Sequence, residues 1–272
     1  MQYNFAIGFV TYNPTLELLS RLELLNRMGC KAYLYDNSPE CVETRQLVKT
    51  LEHTYYVTAG KNLGLGVGLS TICAQAYYDS FPTLLFFDQD TVFNEETINY
   101  IQEFIVENLY KIQDEYTAIV FGASNHKNQT NSDDVELKKF DFLNVTLAIS
   151  SGSLFILKNL KKIGWHNEKY FVDCVDYEIC FKSIVNNLKI GKCLNAPGFD
   201  HSSEQPDKIY KILGASISLR RYSFFRILDT TKSSIRLFFS SLKMRQFKFA
   251  FSILRSYGIY SAAQILARIF SK

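Results

Sequence analysis

Apolar residues come in two rhythms along this chain. Short unbroken apolar runs alternate with stretches in which apolar residues recur every three or four positions. The first run, Phe5–Tyr12, ends at Asn13-Pro14 and predicts a buried parallel strand. Thr15 then caps a predicted helix from Leu16 to Met28, apolar at 18, 19, 22 and 25, which Gly29 stops. Lys31–Tyr35 predicts a second strand, closed by the turn-forming run Asp36-Asn37-Ser38-Pro39. A helix over Val42–Glu52, a strand over Tyr55–Thr58 and a helix ending near Asp79 follow. Leu84–Phe87 is a wholly apolar strand that stops at Asp88. Asn94 caps the next helix, with Glu95 and Glu96 in its first turn, and Ala118–Gly122 is a fifth strand. This alternation predicts an α/β fold, a mostly parallel Rossmann-like sheet flanked by helices.

The second half is less regular. Residues 124–139 read as a polar loop. Strands are expected over Asn144–Ile149 and Leu154–Leu157, a short helix ending at Gly164, a helix over Asp176–Asn186 and a strand over Lys189–Leu194. Beyond Pro206 the pattern turns helical, basic and aromatic, with no strand expected. The boundary is set at residue 207. Residues 1–207 are the first domain, with 1–122 facing one ligand and 123–207 the other, and 208–272 are a basic helical extension.

Charge sharpens that boundary. Residues 208–272 hold thirteen Lys/Arg and the single acid Asp229, so +12. Residues 1–207 hold seventeen Lys/Arg and twenty-six acids, so −9, which together give the net +3. Such a split points to an anionic partner for the tail. With 47% apolar residues a sizeable core is expected, and no fixed-period repeat is present. The six cysteines form no CxxC pair, so neither a zinc site nor a disulfide framework is expected. No signal-peptide pattern precedes the first strand, and no run of about 18 apolar residues could span a bilayer. A reducing cytoplasmic setting is the expectation.

In an open α/β sheet, ligands bind at the carboxyl ends of the strands. The first strand delivers Thr11, Tyr12 and Asn13 to that rim. The second delivers Asp36 and Asn37, and the fourth delivers Asp88, Gln89 and Asp90. Carboxylates are hard oxygen ligands suited to Mg²⁺ or Mn²⁺, and such an ion can neutralise a departing diphosphate. Two acids at a strand end also serve as ordinary turn and capping residues. The glycines at 64, 66 and 68 either cradle phosphate or allow close helix packing, and no Gly-Lys-Ser/Thr follows them. Asp173, Asp176 and Glu178 form a second acidic cluster at a helix start. Each is a candidate general base or an N-terminal capping residue. His201, after the Ala196-Pro197-Gly198 turn, is a candidate third metal ligand or an ordinary surface histidine.

In order along the chain stand Val10-Thr11-Tyr12-Asn13-Pro14, Leu34-Tyr35-Asp36-Asn37-Ser38, Asn62-Leu63-Gly64, Phe87-Asp88-Gln89-Asp90-Thr91, Ser151-Gly152-Ser153, Phe171 to Glu178, His201 and Arg220-Arg221-Tyr222 with Arg226. This set resembles family-2 inverting glycosyltransferases of the GT-A fold, and within them the bacterial rhamnosyltransferase-like group. The resemblance implies Asp176 as catalytic base. It implies Thr11, Tyr12, Asn13, Asp36, Asn62, Gly64, Asp88 and Gln89 around a nucleotide-sugar donor. Asp90, His201 and Asp88 would hold Mn²⁺ or Mg²⁺. Ser151, Gly152, Ser153 and Asp173 would lie on the acceptor side. The implied donor is dTDP-L-rhamnose, with UDP-sugars as the alternative, and the implied acceptor is a glycan or lipid-linked glycan. Ser70 and Ile227 depart from the group, which usually has Asn at both places.

The tail segments Ile235–Phe239, Phe247–Leu254 and Ile259–Phe270 mix apolar, aromatic and basic residues. They are expected to lie peripherally on the inner face of the cytoplasmic membrane, or else to form a lid or an oligomer contact. Homo-oligomer formation stays open. A nucleotidyltransferase is disfavoured because Phe5–Pro14 has no Lys or Arg for a triphosphate. A nucleic-acid partner is disfavoured by the −9 first domain. A non-catalytic nucleotide-sugar-binding relative is disfavoured by the intact acidic set.

Overall fold

The structure is a computed structural model, and it describes residues 3–39, 42–122, 139–193, 196–197, 200–201, 208–212 and 215–269. The elements are β1 (Ala6–Thr11), α1 (Leu16–Arg27), β2 (Ala32–Asp36), α2 (Val42–Val48), β3 (Thr54–Thr58), α3 (Leu65–Tyr78), β4 (Thr83–Asp88) and β5 (Thr91–Val92). There follow α4 (Glu95–Ile112), β6 (Tyr116–Phe121), β7 (Phe142–Val145), β8 (Ser153–Ile156), α5 (Leu157–Lys162), α6 (Val175–Val185), β9 (Lys189–Cys193) and β10 (Asp200–His201). The chain closes with β11 (Lys208–Ile212), β12 (Ala215–Leu219), α7 (Phe224–Lys243) and α8 (Phe247–Ile269). It divides into two compact units. One is Met1–Phe171 with Val175–Ser202, and the other is Val172–Cys174 with Ser203–Lys272.

The first unit is built on an eight-stranded sheet in the order β3-β2-β1-β4-β8-β6-β9-β7. β3, β2, β1 and β4 are mutually parallel, and β6 pairs parallel with β9. β8 and β7 run antiparallel to their neighbours. The mostly parallel α/β sheet expected from the apolar runs is therefore present. β1, β2 and β4 are buried along nearly their whole length, as unbroken apolar runs require. Leu18, Leu22 and Leu25 of α1 and Ile98, Ile101, Phe104 and Ile105 of α4 close a core over Ile7, Phe9, Leu34, Leu85 and Phe87. Asn94 starts α4 with a reciprocal cap. Its side chain accepts from the Thr97 N–H at 3.0 Å, and the Thr97 hydroxyl accepts from the Asn94 N–H.

The glycine-rich stretch resolves into close packing. A Cβ on Gly66 would stand 2.4 Å from the Tyr170 carbonyl and 2.7 Å from that of Asn167. Gly64, at φ +91°, faces the Phe171 carbonyl in the same way, and the Leu65 N–H donates to that carbonyl at 2.5 Å. The start of α3 thus lies directly on backbone, which only glycine permits.

Two expectations need correction. The segment after Pro206 is not wholly helical, because β11 and β12 pair antiparallel from Lys208↔Leu219 to Ile212↔Ala215. Its isoleucines and alternating serines suit strands, but the basic composition around them hides the signal. The strand expected over Asn144–Ile149 is Phe142–Val145, and residues 146–149 continue without strand pairing. The loop expected over 124–139 lies outside the described residues except for Lys139. Among the described residues no helix is long and apolar enough to cross a membrane, and Cys30, Cys73, Cys174, Cys180 and Cys193 are free thiols.

The second unit holds the β11–β12 hairpin and the helices α7 and α8. Ser223 caps α7, its hydroxyl accepting from the Arg226 N–H at 3.2 Å. The Asp229 carboxylate accepts from the backbone N–H of Val172 and of Asp173, at 3.1 and 3.0 Å. Arg226 returns two hydrogen bonds to the Asp173 carboxylate, at 2.8 and 3.0 Å, and the Thr230 hydroxyl donates a third.

Candidate active site

Parallel register brings the predicted rim together. Thr11 pairs with Asp36, and Val10 pairs with Asp88, so the ends of β2, β1 and β4 lie side by side. Thr11 is buried, and its hydroxyl has no hydrogen-bond partner among the described residues. A buried unpaired hydroxyl at a strand end is a position that a polar ligand can satisfy. Asp36 is fully buried. One oxygen accepts from the Ser38 N–H at 2.9 Å and the other from the Tyr56 hydroxyl at 2.8 Å. Burial first, and then this bond to Asp36, pushes the Tyr56 phenol up to about 12, which keeps it a donor. Asn37 joins the rim to the next loop. Its N–H donates to the Thr11 carbonyl at 2.8 Å, and its side-chain oxygen accepts from Leu63 at 2.9 Å. Asn62 folds its side-chain oxygen onto the Gly64 N–H at 2.9 Å. Asn13 takes φ +52°, and its N–H donates to Ser38 at 2.8 Å, while Tyr12 is left half exposed beside it.

The Asp88-Gln89-Asp90 turn is braced from three sides. The Gln89 side-chain oxygen accepts from the Tyr12 N–H at 2.9 Å. The Arg21 guanidinium donates to the Gln89 carbonyl. The Asp88 N–H donates to the Ser151 hydroxyl at 3.0 Å, which also bonds the Thr91 hydroxyl at 2.9 Å. Gln89 and Ser151 are thus committed to shaping the turn. Burial lowers the Arg21 pKa, and the charges of Glu17 and Asp90 oppose that shift. Motif reading gave no signal for Arg21. It stands at an ordinary polar position of α1, four residues after Glu17.

Asp176 lies in the first turn of α6. One of its oxygens accepts from the Ser150 N–H at 3.1 Å and also from the Ser150 hydroxyl. Ser150 therefore holds the candidate base while its neighbour Ser151 holds the acidic turn. Ser150 is a second residue that motif reading missed, one position before the quoted Ser151-Gly152-Ser153. Gly152, at φ +77°, closes the turn with its N–H on the Phe86 carbonyl at 2.8 Å. The Ser153 hydroxyl is turned inward onto the Ile149 carbonyl at 2.7 Å. Asp173 belongs to the second unit, where Arg226 and Thr230 engage it.

Among the described residues no group of three His, Cys, Asp or Glu is gathered to hold a metal ion. The side chain of His201 lies outside the described ones. Its backbone is placed, however, because β10 pairs antiparallel with β5 and sets His201 against Thr91, the residue after Asp90. The Asp88 and Asp90 carboxylates are half-buried in one braced turn, beside the His201 backbone, and carboxylate oxygens are the ligand type that hard divalent ions take.

The eight-stranded α/β sheet, with the acidic turn at its parallel rim, has the GT-A fold. Among curated proteins, the dTDP-rhamnosyl transferase RfbF of Shigella flexneri is similar to this chain. The two are 23% identical over 238 residues, which cover 82% of this chain and 77% of that protein. S. aureus TarS shares the fold with a TM-score of 0.53 at 18% identity, covering 73% of this chain but only 36% of TarS. GalNAc-T7, solved with UDP, GalNAc and Mn²⁺, shares it with a TM-score of 0.52 at 10% identity, covering 70% of this chain and 42% of its own. No family model matches the chain.

Proposed function

We propose that this protein is an inverting glycosyltransferase that moves L-rhamnose from dTDP-rhamnose onto a hydroxyl of a glycan or lipid-linked glycan. The observation that carries the reading is the Ser150-Ser151 pair. It ties Asp176 and the Asp88 turn to adjacent residues at the rim where β1, β2 and β4 end. The likeness to an enzyme named as a dTDP-rhamnosyl transferase supports the choice of sugar.

In this reading Thr11 offers its buried hydroxyl to the nucleotide, with Tyr12, Asn13, Asp36, Asn62 and Gly64 forming the surrounding wall. Asp90, with Asp88 and His201, would hold Mn²⁺ or Mg²⁺, whose positive charge would offset that of the diphosphate. Asp176 takes the proton from the acceptor hydroxyl. That oxygen forms a bond to the anomeric carbon as the bond from this carbon to the diphosphate oxygen breaks on the opposite face. One displacement inverts the anomeric centre, and Asp176 then releases its proton to solvent. Ser150 keeps the carboxylate aimed by holding one of its oxygens. Ser151, Gly152, Ser153 and Asp173 would lie on the acceptor side. The basic C-terminal region would bring the protein to the cytoplasmic face of a membrane, where a lipid-linked acceptor would be found.

Asp176→Asn is the test. It should lower kcat by about 10²–10⁴-fold, the usual contribution of a general base, while nucleotide binding persists. Turnover close to wild type would remove Asp176 from the role of base.

A further inference from the structure

Helix α7 has its polarity reversed. The side turned inward carries Thr230, Ser233, Ser234 and Ser241, with Leu237 as its one fully buried large residue. The side turned outward carries Phe224, Leu228, Ile235 and Phe239, at steps of four, seven and four, which is one stripe along a helix. These side chains are 78, 52, 49 and 62% exposed. Helix α8 carries a second exposed apolar stripe, with a mainly apolar inward side. Phe247, Phe251, Leu254, Ile265 and Ile269 keep the same helical register and are all exposed, while Ala250, Ile253 and Ala267 face inward. Exposed lysines and arginines accompany both stripes. Lys232 and Lys243 on α7, and Lys248 and Arg255 on α8, stand roughly a quarter-turn aside.

A continuous exposed apolar stripe marks a surface that another apolar phase covers. The charge decides what that phase is. Residues 208–272 carry thirteen Lys/Arg and one acid, so a second copy laid on this face would set cation against cation. We propose that the outward faces of α7 and α8 dock onto an anionic lipid bilayer. The helices lie in the interface, with their phenylalanines at the acyl boundary and their flanking cations among the headgroups. The proposal deepens the membrane part of the reading above and does not depend on the transfer chemistry.

Vesicle flotation of the full chain tests it, with phosphatidylcholine alone and with phosphatidylcholine containing phosphatidylglycerol. Flotation should require the anionic lipid. It should also weaken from 0.1 M to 1 M salt, as the screening length falls from about 10 Å to about 3 Å. Phe239→Glu and Phe251→Glu together should lower the partition coefficient about tenfold or more. The melting temperature and the nucleotide-induced shift should stay unchanged. Lys232→Glu with Lys248→Glu should remove the preference for anionic lipid while leaving the fold intact. Equal flotation on both vesicle types would overturn the charge argument. No flotation, together with a dimer by light scattering that Phe239→Glu dissociates, would overturn the proposal in favour of a second copy.

Discussion

The first unit and α7 of the second unit use amphipathic sequence in opposite senses. In the first unit, α1 turns Leu18, Leu22 and Leu25 inward, α4 turns Ile98, Ile101, Phe104 and Ile105 inward, and most of their charged residues lie outside. In α7 the serines and threonines are inside and the phenylalanines are outside. Periodicity shows that a helix has two faces, but it does not show which one is covered. A buried apolar face is explained by the fold, whereas an exposed one needs a partner.

Glycine gives the sharpest way to break this contrast. Gly66→Ala in α3 forces a methyl group onto two backbone carbonyls that cannot yield as side chains do. It should cost about 3 kcal/mol in urea unfolding. Gly258→Ala in α8 meets open space and should be neutral or stabilising by up to about 1 kcal/mol. Equal costs at the two positions would mean that α8 is covered after all.

The next effect is acid sensitivity in the first unit. His166 is buried, and neither ring nitrogen has a partner among the described residues. Burial, and then the charge of Lys182, depress its pKa from 6.5 to about 3. Between these values the unfolded chain takes up a proton that the folded chain refuses. Stability is therefore full above pH 6.5 and is lost as pH falls towards 3, at up to about 1.4 kcal/mol per pH unit. His166→Phe, packed against Phe155, should flatten that slope in a series of melting curves at different pH, and an unchanged slope would point to other groups. The smallest effect belongs to the second unit. Arg226→Gln breaks a two-bond pair with Asp173 that is partly open to solvent, and it should cost about 1 kcal/mol by urea midpoint.

The fold was largely legible because β1, β2 and β4 are unbroken apolar runs closed by turn residues, a pattern that few other elements produce. The rim residues were legible for the same reason, since strand ends in a parallel sheet point to one place. Arg21 and Ser150 were not. Each acts through a hydrogen bond to a residue far along the chain, and neither position carries a local signal. The β11–β12 hairpin was hidden by basic composition, and the glycines at 64 and 66 were ambiguous until the backbone beside them was placed. The reversal of α7 was out of reach, since it depends on what the neighbouring elements leave uncovered.

The most direct test of the central claim is donor binding at the acidic turn. Melting temperatures of wild type and Asp90→Ala should be compared with dTDP, dTDP-rhamnose and UDP-sugars, each with and without Mn²⁺. A ligand present at 100 times its Kd should stabilise the wild type by about 2.7 kcal/mol. The account predicts a shift with dTDP and dTDP-rhamnose that exceeds the UDP-sugar shift, needs Mn²⁺ and is lost in Asp90→Ala. No shift with any nucleotide, or a shift that Asp90→Ala leaves intact, would contradict it.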